Sequence, residues 1–176
     1  MRVLTIFLFI VLFSLTGCDG FSPEELVDEV IEEGPVAQSI AAEATHLTNQ
    51  ARASRQQCGD RSFDAVSSLS WNQQLAEAAL AHSRDMAANN YFDHTNLEDE
   101  SPGVRITRTG YSAMTWGENI AAGYGSVSRV IEGWIDSPGH CANIMNAGFT
   151  EFAVAYAENP NSTYGTYWTM VLAAPR

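Results

Sequence analysis

The sequence contains no lysine, and all nine of its basic residues are arginines. It has 21 acidic residues, so its formal net charge at pH 7 is -12. Without lysine, Schiff-base chemistry and general-base catalysis by lysine are excluded. Nucleic-acid binding needs clustered positive charge to meet the phosphates, and the arginines form no such cluster along the sequence. We therefore expect no nucleic-acid partner.

The sequence also lacks an apolar run long enough to span a bilayer. The N-terminal apolar stretch covers only residues 3–15, whereas a membrane-spanning helix needs about 20 residues. It follows Arg2, as in an export signal. The next residues, Leu15-Thr16-Gly17-Cys18, resemble the bacterial lipobox, in which the chain is cut before the cysteine and the new terminus carries lipid. Residues 1–17 are therefore predicted to be a lipoprotein signal peptide, with lipidation at Cys18.

This N-terminus predicts an exported protein that is anchored to a membrane of the bacterial cell envelope by its lipid and does not span it. The alternative is ordinary secretion, with Cys18 left as a free thiol.

Cysteine is scarce, with three residues in the whole chain. If Cys18 carries lipid, Cys58 and Cys141 remain, and an exported compartment favours a disulfide between them. Such a bridge would close a loop of more than eighty residues. In the loop-entropy model it would stabilise the fold by roughly 3 to 5 kcal/mol. The alternative is two free thiols.

Acidic residues are concentrated just after the predicted signal peptide. Seven of the fifteen residues from 19 to 33 are acidic: Asp19, Glu24, Glu25, Asp28, Glu29, Glu32 and Glu33. Runs of like charge of this kind are usually solvated, so we interpret residues 18–38 as an acidic tether. The remaining residues, 39–176, are enough for one domain with a single core.

Helical periodicity dominates the first part of this domain. It predicts a helix over residues 40–57 that is capped by Ser39 and ended by Gly59, and a second helix that starts after Asn72 and stops near residue 89. A short third helix is predicted around Gly117. A fourth helix is predicted from a Ser126 cap to residue 135, where Pro138-Gly139 ends it.

The last part of the domain changes to strand periodicity. Apolar residues alternate over residues 152–157, residues 167–172 are rich in strand formers, and Asn159-Pro160-Asn161-Ser162 supplies a turn between them. Helices followed by an antiparallel hairpin indicate an α+β fold, with helices packed on a small sheet.

Two of the four histidines lie in segments with candidate chemistry. His94 occurs in Asp-His-Thr after the second predicted helix, and His140 follows a sharp Ser-Pro-Gly break. Glu118 lies between them in the sequence. Two imidazoles and a carboxylate can bind a divalent cation such as zinc, with Glu118 orienting one histidine or the bound water. They can also form a metal-free acid/base pair, with Ser137 as hydroxyl donor or nucleophile.

A third interpretation of these residues is structural: the histidines hydrogen-bond Glu118 and hold the helices together. His82, on the apolar face of the second predicted helix, is interpreted as a packing residue. His46 lies outside any motif and is interpreted as a surface or packing residue.

An ordered set of segments resembles the CAP superfamily, also called the SCP domain, which includes cysteine-rich secretory proteins, venom antigens and pathogenesis-related proteins. The match spans residues 42–173. The segments are Leu69-Ser70-Trp71, residues 79–86, Phe92-Asp93-His94-Thr95, Arg105, Gly110-Tyr111, Gly117-Glu118-Asn119-Ile120-Ala121, Trp134, Ser137-Pro138-Gly139-His140-Cys141-Ala142-Asn143-Ile144-Met145 and Tyr167-Trp168. The resemblance implies a three-layer α/β/α sandwich in which these segments converge on one open cleft.

In that family the cleft holds two histidines and two acidic residues. Matched by motif, the resemblance implies that His94, His140 and Glu118 form the site, whereas Ser137 stands at the position of the second acid. A mechanism that needs two carboxylates is therefore weakened.

We expect an envelope-anchored, monomeric protein that binds a divalent cation and a small apolar or glycan-like ligand, since lipid and sterol binding are associated with this family. The rival hypotheses are a hydrolase that acts on peptide or cell-wall bonds, and a structural module without a ligand.

Overall fold

The computed structural model describes residues 35–176, with side chains from residue 37. The predicted signal peptide (1–17), the lipidation site Cys18 and most of the predicted tether (18–38) lie outside the described residues. Within residues 35–176, none of the helices combines the length and apolar character needed to cross a membrane.

Residues 35–176 form five helices and six strands. In chain order they are α1 (Pro35–Arg52), β1 (Gln56–Cys58), β2 (Arg61–Phe63), β3 (Ser70–Trp71), α2 (Gln73–Asn89), α3 (Pro102–Arg108), β4 (Ala113–Ala122), α4 (Val127–Asp136), α5 (Pro138–Ile144), β5 (Glu151–Asn159) and β6 (Gly165–Pro175). The predicted α+β class is confirmed.

The main sheet has four strands in the order β3-β5-β6-β4. Strand β6 pairs antiparallel with both β5 and β4, which confirms the two predicted C-terminal strands and their hairpin. The sheet is not wholly antiparallel, because the two-residue strand β3 pairs parallel with β5. Strand β4 lies at one edge of the sheet.

Helices cover both faces of the sheet, which confirms the three-layer arrangement. Successive residues of a strand point to opposite faces. On β6, Met170 and Leu172 pack in a cluster with Val130 and Trp134 of α4. The intervening Val171 packs with the other cluster, which includes residues of α2 and α3. The sheet is therefore buried between α1, α4 and α5 on one side and α2 and α3 on the other.

Two of the predicted helices have the caps expected from the sequence. The Asn72 side chain accepts a hydrogen bond from the backbone N–H of Leu75 at 3.2 Å, at the start of α2. The Ser126 hydroxyl accepts one from Arg129 N at 3.3 Å, at the start of α4. Both caps satisfy an N–H group that a helix terminus otherwise leaves unpaired.

The predicted bounds of the first helix were wrong. Helix α1 begins at Pro35 and ends at Arg52, so Ser39 lies inside it. Proline suits the first position of a helix because its missing N–H has no partner there. Gly59 does not end this helix. It has a φ of +63° and follows β1 in a tight hairpin with β2, a turn in which glycine adopts this conformation without strain.

The predicted helix around Gly117 was also wrong, since this segment is strand β4. It pairs with β6 along its length, from Ala113 opposite Pro175 to Ala122 opposite Tyr167. The strand pattern is hidden because buried polar residues, Glu118 and Asn119, stand where apolar residues would reveal a period of two.

Two short helices were not predicted, α3 and α5, and each has proline in its first turn. Pro138 therefore plays two roles: it follows the end of α4 at Asp136 and starts α5.

The predicted disulfide is confirmed. Cys58 and Cys141 are bonded, with their Cα atoms 5.4 Å apart, across a sequence separation of 83 residues. The bridge joins β1 to α5, which carries His140, so it fixes this helix to the hairpin that follows α1.

Candidate functional site

The carboxylate of Glu118 is buried at the edge strand β4, with only 2% of the side chain exposed. Its Oε1 lies 2.8 Å from Nδ1 of His94. Its Oε2 accepts a hydrogen bond from Nη2 of Arg105 at 2.8 Å. The negative charge is therefore held by a guanidinium on one side and faces an imidazole on the other.

Two buried side chains hold the loop that carries His94. Arg105 donates to the backbone carbonyls of His94 and Glu100, each at 2.9 Å. His82, which is fully buried, places Nε2 2.9 Å from the carbonyl oxygen of Asp93, so Nε2–H is the donor. The loop is thus fixed at two successive carbonyls, and His94 itself is about half exposed.

Helix α5 holds His140 on the other side of the edge strand. Asn119 Nδ2 donates to the carbonyl of His140 at 3.1 Å. Asn143 Nδ2 donates to Asn119 Oδ1 at 2.9 Å and to the carbonyl of Glu118 at 3.3 Å. These side-chain amides tie α5 to β4, because an edge strand has backbone groups that no neighbouring strand uses.

The two imidazoles have opposite pKa shifts. The hydrogen bond to Glu118 raises the pKa of His94 above its usual value. Burial lowers the pKa of His140, and the nearby charge of His94 lowers it further. Protonation is therefore favoured at His94 and disfavoured at His140.

The family resemblance implies a divalent cation at these residues. Among residues 37–176, no group of three or more His, Cys, Asp or Glu side chains is arranged to hold a metal ion. Both oxygens of Glu118 are engaged, by His94 and by Arg105. A neutral His94 that donates Nδ1–H to Glu118 leaves its Nε2 lone pair for a ligand, and histidine ligands usually have such a carboxylate partner. Two imidazoles with a carboxylate partner are the donor types that a divalent cation prefers, and among these residues His94 and His140 would be the ligands, with Glu118 orienting His94.

Ser137 lies in an open cleft next to His140. The cleft has a volume of about 300 Å³ and is lined by Phe92, Trp134 and Tyr164 among others, together with Ser137 and His140. In the described part of the chain, the Ser137 hydroxyl has no hydrogen bond to His140 or to any other group. The structure therefore brings Ser137 and His140 to one cleft, while His94 and Glu118 lie beside it.

The sequence analysis assigned no role to three residues of the site. These are Arg105, which clamps Glu118, and the amide pair Asn119 and Asn143. The available signal was their presence in segments that resemble the family.

The family model described as the cysteine-rich secretory protein family, CAP, matches residues 45–172. The chain is similar to YkwD, an uncharacterized protein of Bacillus subtilis, with 36% identity over 110 residues, which cover 62% of this chain and 41% of that protein. It is also similar to YlbC, an uncharacterized membrane protein of the same organism, with 36% identity over 51% of this chain and 26% of that protein.

Solved structures share the fold. An extracellular protein of Bacillus anthracis that contains an SCP domain has a TM-score of 0.62 and 29% identity, over 77% of this chain and 40% of that one. An outer surface protein of Borrelia burgdorferi has a TM-score of 0.62 over 82% of this chain and 96% of that one, at 16% identity. The chain therefore spans about two fifths of the length of its Bacillus relatives YkwD and the SCP-domain protein.

Proposed function

This chain belongs to the cysteine-rich secretory protein (CAP) family, and on that basis we propose that it is an exported binding module of the cell envelope. Its site takes a divalent cation between His94 and His140. A small apolar or glycan-like ligand enters the adjoining cleft of about 300 Å³. The module acts as a monomer.

The observation that carries the cation proposal is the contact between His94 and Glu118. Nδ1 of His94 lies 2.8 Å from Oε1 of Glu118, which orients the ring and leaves Nε2 for a ligand. Burial lowers the pKa of His140 and so favours its neutral form. Neutral imidazole is the form that binds zinc and similar cations, and two histidines leave further coordination positions for water or ligand. Zinc is therefore the first cation to test.

The envelope location rests on the N-terminal sequence and on the relatives. A short apolar segment ending in Leu15-Thr16-Gly17-Cys18 supports export and a lipid on Cys18. The related protein of Bacillus anthracis is described as extracellular. Replacing Cys18 with Ser should move the protein from the membrane fraction to the supernatant. Unchanged fractionation would contradict the lipid anchor.

The cation is tested by isothermal titration of the purified protein with zinc chloride. We expect saturable binding by the unaltered protein and at least about tenfold weaker binding by His94→Ala and by His140→Ala. The matched control is His46→Ala, because His46 is an exposed histidine on α1. Binding that is absent, or that is equally strong in all four proteins, would overturn the cation proposal.

Glu118→Gln separates orientation from direct ligation. Glutamine keeps the size of the side chain but removes the charge that holds His94. If Glu118 acts through His94, zinc binding should weaken less than in His94→Ala. A loss as complete as that of His94→Ala, in a folded protein, would indicate that Glu118 itself is a ligand.

A further inference from the structure

The cleft beside His140 has no carboxylate or guanidinium group in its lining. The chain has 21 acidic residues, yet among the described residues no Asp, Glu or Arg lines this cleft. The lining is mostly aromatic and aliphatic, and its polar side chains are those of Tyr124, Ser137, His140 and Tyr164. The cleft therefore presents no carboxylate to a cationic ligand and no guanidinium to an anionic ligand.

Two aromatic rings stand at the cleft with unusual exposure. Phe92 is 43% exposed and Tyr164 is 50% exposed, although most large apolar side chains of this domain are buried. Their ring centroids are 5.9 Å apart. Tyr164 is supported from behind by an edge contact with the fully buried Tyr167, at 5.9 Å. The planes of the two rings are tilted by 59° to each other, so the rings form an apolar corner that faces solvent and not one flat surface.

Neutral polar groups accompany these two rings. The hydroxyls of Tyr124, Ser137 and Tyr164 and the ring of His140 all belong to residues that line the cleft. None of the four has a hydrogen-bond partner among the described side chains and backbone groups. Tyr124, Ser137 and His140 are half-buried and Tyr164 is exposed, so solvent can reach these groups and hydrogen-bond to them. A ligand with its own hydroxyls can take the place of that solvent.

Gly133 of helix α4 leaves room for the Tyr124 side chain at this cleft. A Cβ atom at this position would lie 2.4 Å from the Tyr124 hydroxyl. Glycine within a helix costs about 1 kcal/mol relative to alanine. The absence of a side chain at Gly133 lets the Tyr124 ring lie directly against the helix, so that Tyr124 forms a wall of the cleft.

We propose that this cleft binds a neutral carbohydrate, with a pyranose ring stacked on one of the two exposed rings, Phe92 or Tyr164, and its edge against the other. A sugar ring has an apolar face for an aromatic ring and hydroxyls for the four neutral polar groups, and it needs no counter-charge. A fatty acyl chain or a sterol would cover the same rings but leave most of these polar groups unpaired, which is unfavourable. This inference rests on the proposed function only in that the cleft is a ligand site, and it does not require the cation.

The test uses the purified protein with EDTA and a panel of neutral trisaccharides: maltotriose, cellotriose, mannotriose and N,N′,N″-triacetylchitotriose. Two-dimensional 1H-15N NMR and titration calorimetry report binding. We expect at least one trisaccharide to bind saturably and to shift the amide signals of residues in the cleft. Phe92→Ala and Tyr164→Ala should each weaken its binding at least about tenfold, and Tyr164→Phe should weaken it less, because the ring remains.

The controls are chosen from outside the cleft. Trp116→Ala removes another exposed aromatic residue, and it should not change the saccharide affinity. Gly133→Ala should weaken binding by displacing Tyr124, whereas Gly125→Ala, which meets open space, should not. NMR spectra of each variant establish that it is folded.

The outcomes separate this inference from the proposed cation site. Saccharide binding without zinc binding would leave the inference standing and overturn the cation proposal. Zinc binding with no response to any trisaccharide would support the cation proposal and overturn the carbohydrate inference. Binding of sodium dodecanoate at the same residues, in place of every trisaccharide, would overturn the inference and assign the cleft to an apolar ligand.

Discussion

Arg105 and Glu118 form an ion pair in which both partners are almost inaccessible to solvent. Nη2 of Arg105 lies 2.8 Å from Oε2 of Glu118, and their side chains are 6% and 2% exposed. The same guanidinium holds the carbonyls of Glu100 and His94. One buried charge pair therefore connects α3, β4 and the loop that carries His94.

Replacing Glu118 with Gln should destabilise the protein by about 3 to 5 kcal/mol, because it leaves the Arg105 charge buried without a partner. Urea denaturation measures the free energy of unfolding. The control is Glu132→Gln, which breaks an exposed pair with Arg129 and should change stability by no more than about 1 kcal/mol. Equal effects of the two substitutions would contradict the assignment of Glu118 as a buried anchor.

The same substitution should lower the pKa of His94. The hydrogen bond to Glu118 is the largest cause of the raised pKa, and glutamine cannot stabilise the imidazolium in the same way. NMR titration of the histidine ring protons checks this, with His46 as internal reference. A His94 titration curve that Glu118→Gln leaves in place would show that another group sets the pKa.

The stability of the protein should decrease as the pH falls below about 6.5, and His82 should account for part of this loss. Burial lowers the pKa of His82; Glu118 and Asp85 partly oppose the shift, and Arg105 adds to it. Since the folded pKa lies below the unfolded one, the unfolded state binds more protons as the pH falls. Stability is therefore lost at low pH, by at most about 1.4 kcal/mol per pH unit for one group.

The effect of His94 on stability has the opposite sign, because its pKa is higher in the folded protein than in the unfolded chain. The stabilisation that His94 provides is fully present below about pH 6.5 and is lost as the pH rises through the pKa of the folded state. The variant His82→Phe cannot take up a proton at residue 82, so its free energy of unfolding should decrease less as the pH falls below about 6.5. Urea denaturation at several pH values measures this. His46→Gln is the control. A profile for His82→Phe parallel to that of the unaltered protein would exclude His82 as the cause.

Arg52 should be more important for stability than its neighbour Arg55. Arg52 is fully buried and donates to the carbonyls of Ser67, Ile144 and Asn146, with no carboxylate partner in the described residues. Arg52→Met would leave these carbonyls unpaired and should cost about 2 to 4 kcal/mol. Arg55→Met removes only an exposed pair with Asp64, and thermal unfolding should show little change. Similar melting temperatures for the two variants would contradict this role.

Removing the disulfide should cost about 4 kcal/mol, since the bridge closes a loop with a sequence separation of 83 residues. The double variant Cys58→Ala, Cys141→Ala is compared with the oxidised protein by urea denaturation. Because the bridge also holds α5, the signals of His140 should broaden or shift. A fully stable variant with unchanged His140 signals would show that packing alone positions this helix.

The sequence predicted the elements with local signals. Asn72 and Ser126 were recognised as caps, and the alternation over residues 152–157 identified a strand, because caps and periodicity depend on neighbours in the chain. Strand β4 was missed for the opposite reason. Its segment at Gly117 is a strand because of its pairing with β6, and its buried Glu118 and Asn119 are compensated by partners that are distant in the sequence.

The candidate site shows the same contrast between what local segments predict and what long-range contacts decide. The family-like segments predicted that His94, His140 and Glu118 belong together. The structure places Glu118 in contact with His94, and Asn119 of the same strand donates to the carbonyl of His140. The roles of Arg105 and Asn143 could not be predicted, because each depends on a contact across the fold.

Composition, cysteine count and motif order by themselves excluded lysine chemistry and indicated the family and the pair of cysteines that could form a disulfide. These properties depend on which residues are present and in what order. Only the tertiary structure decided that both oxygens of Glu118 are engaged, that His94 and His140 have opposite pKa shifts, and that an aromatic cleft without carboxylate or guanidinium groups lies beside them. Burial and hydrogen bonding between distant segments set these properties, and they exist only once the chain is packed.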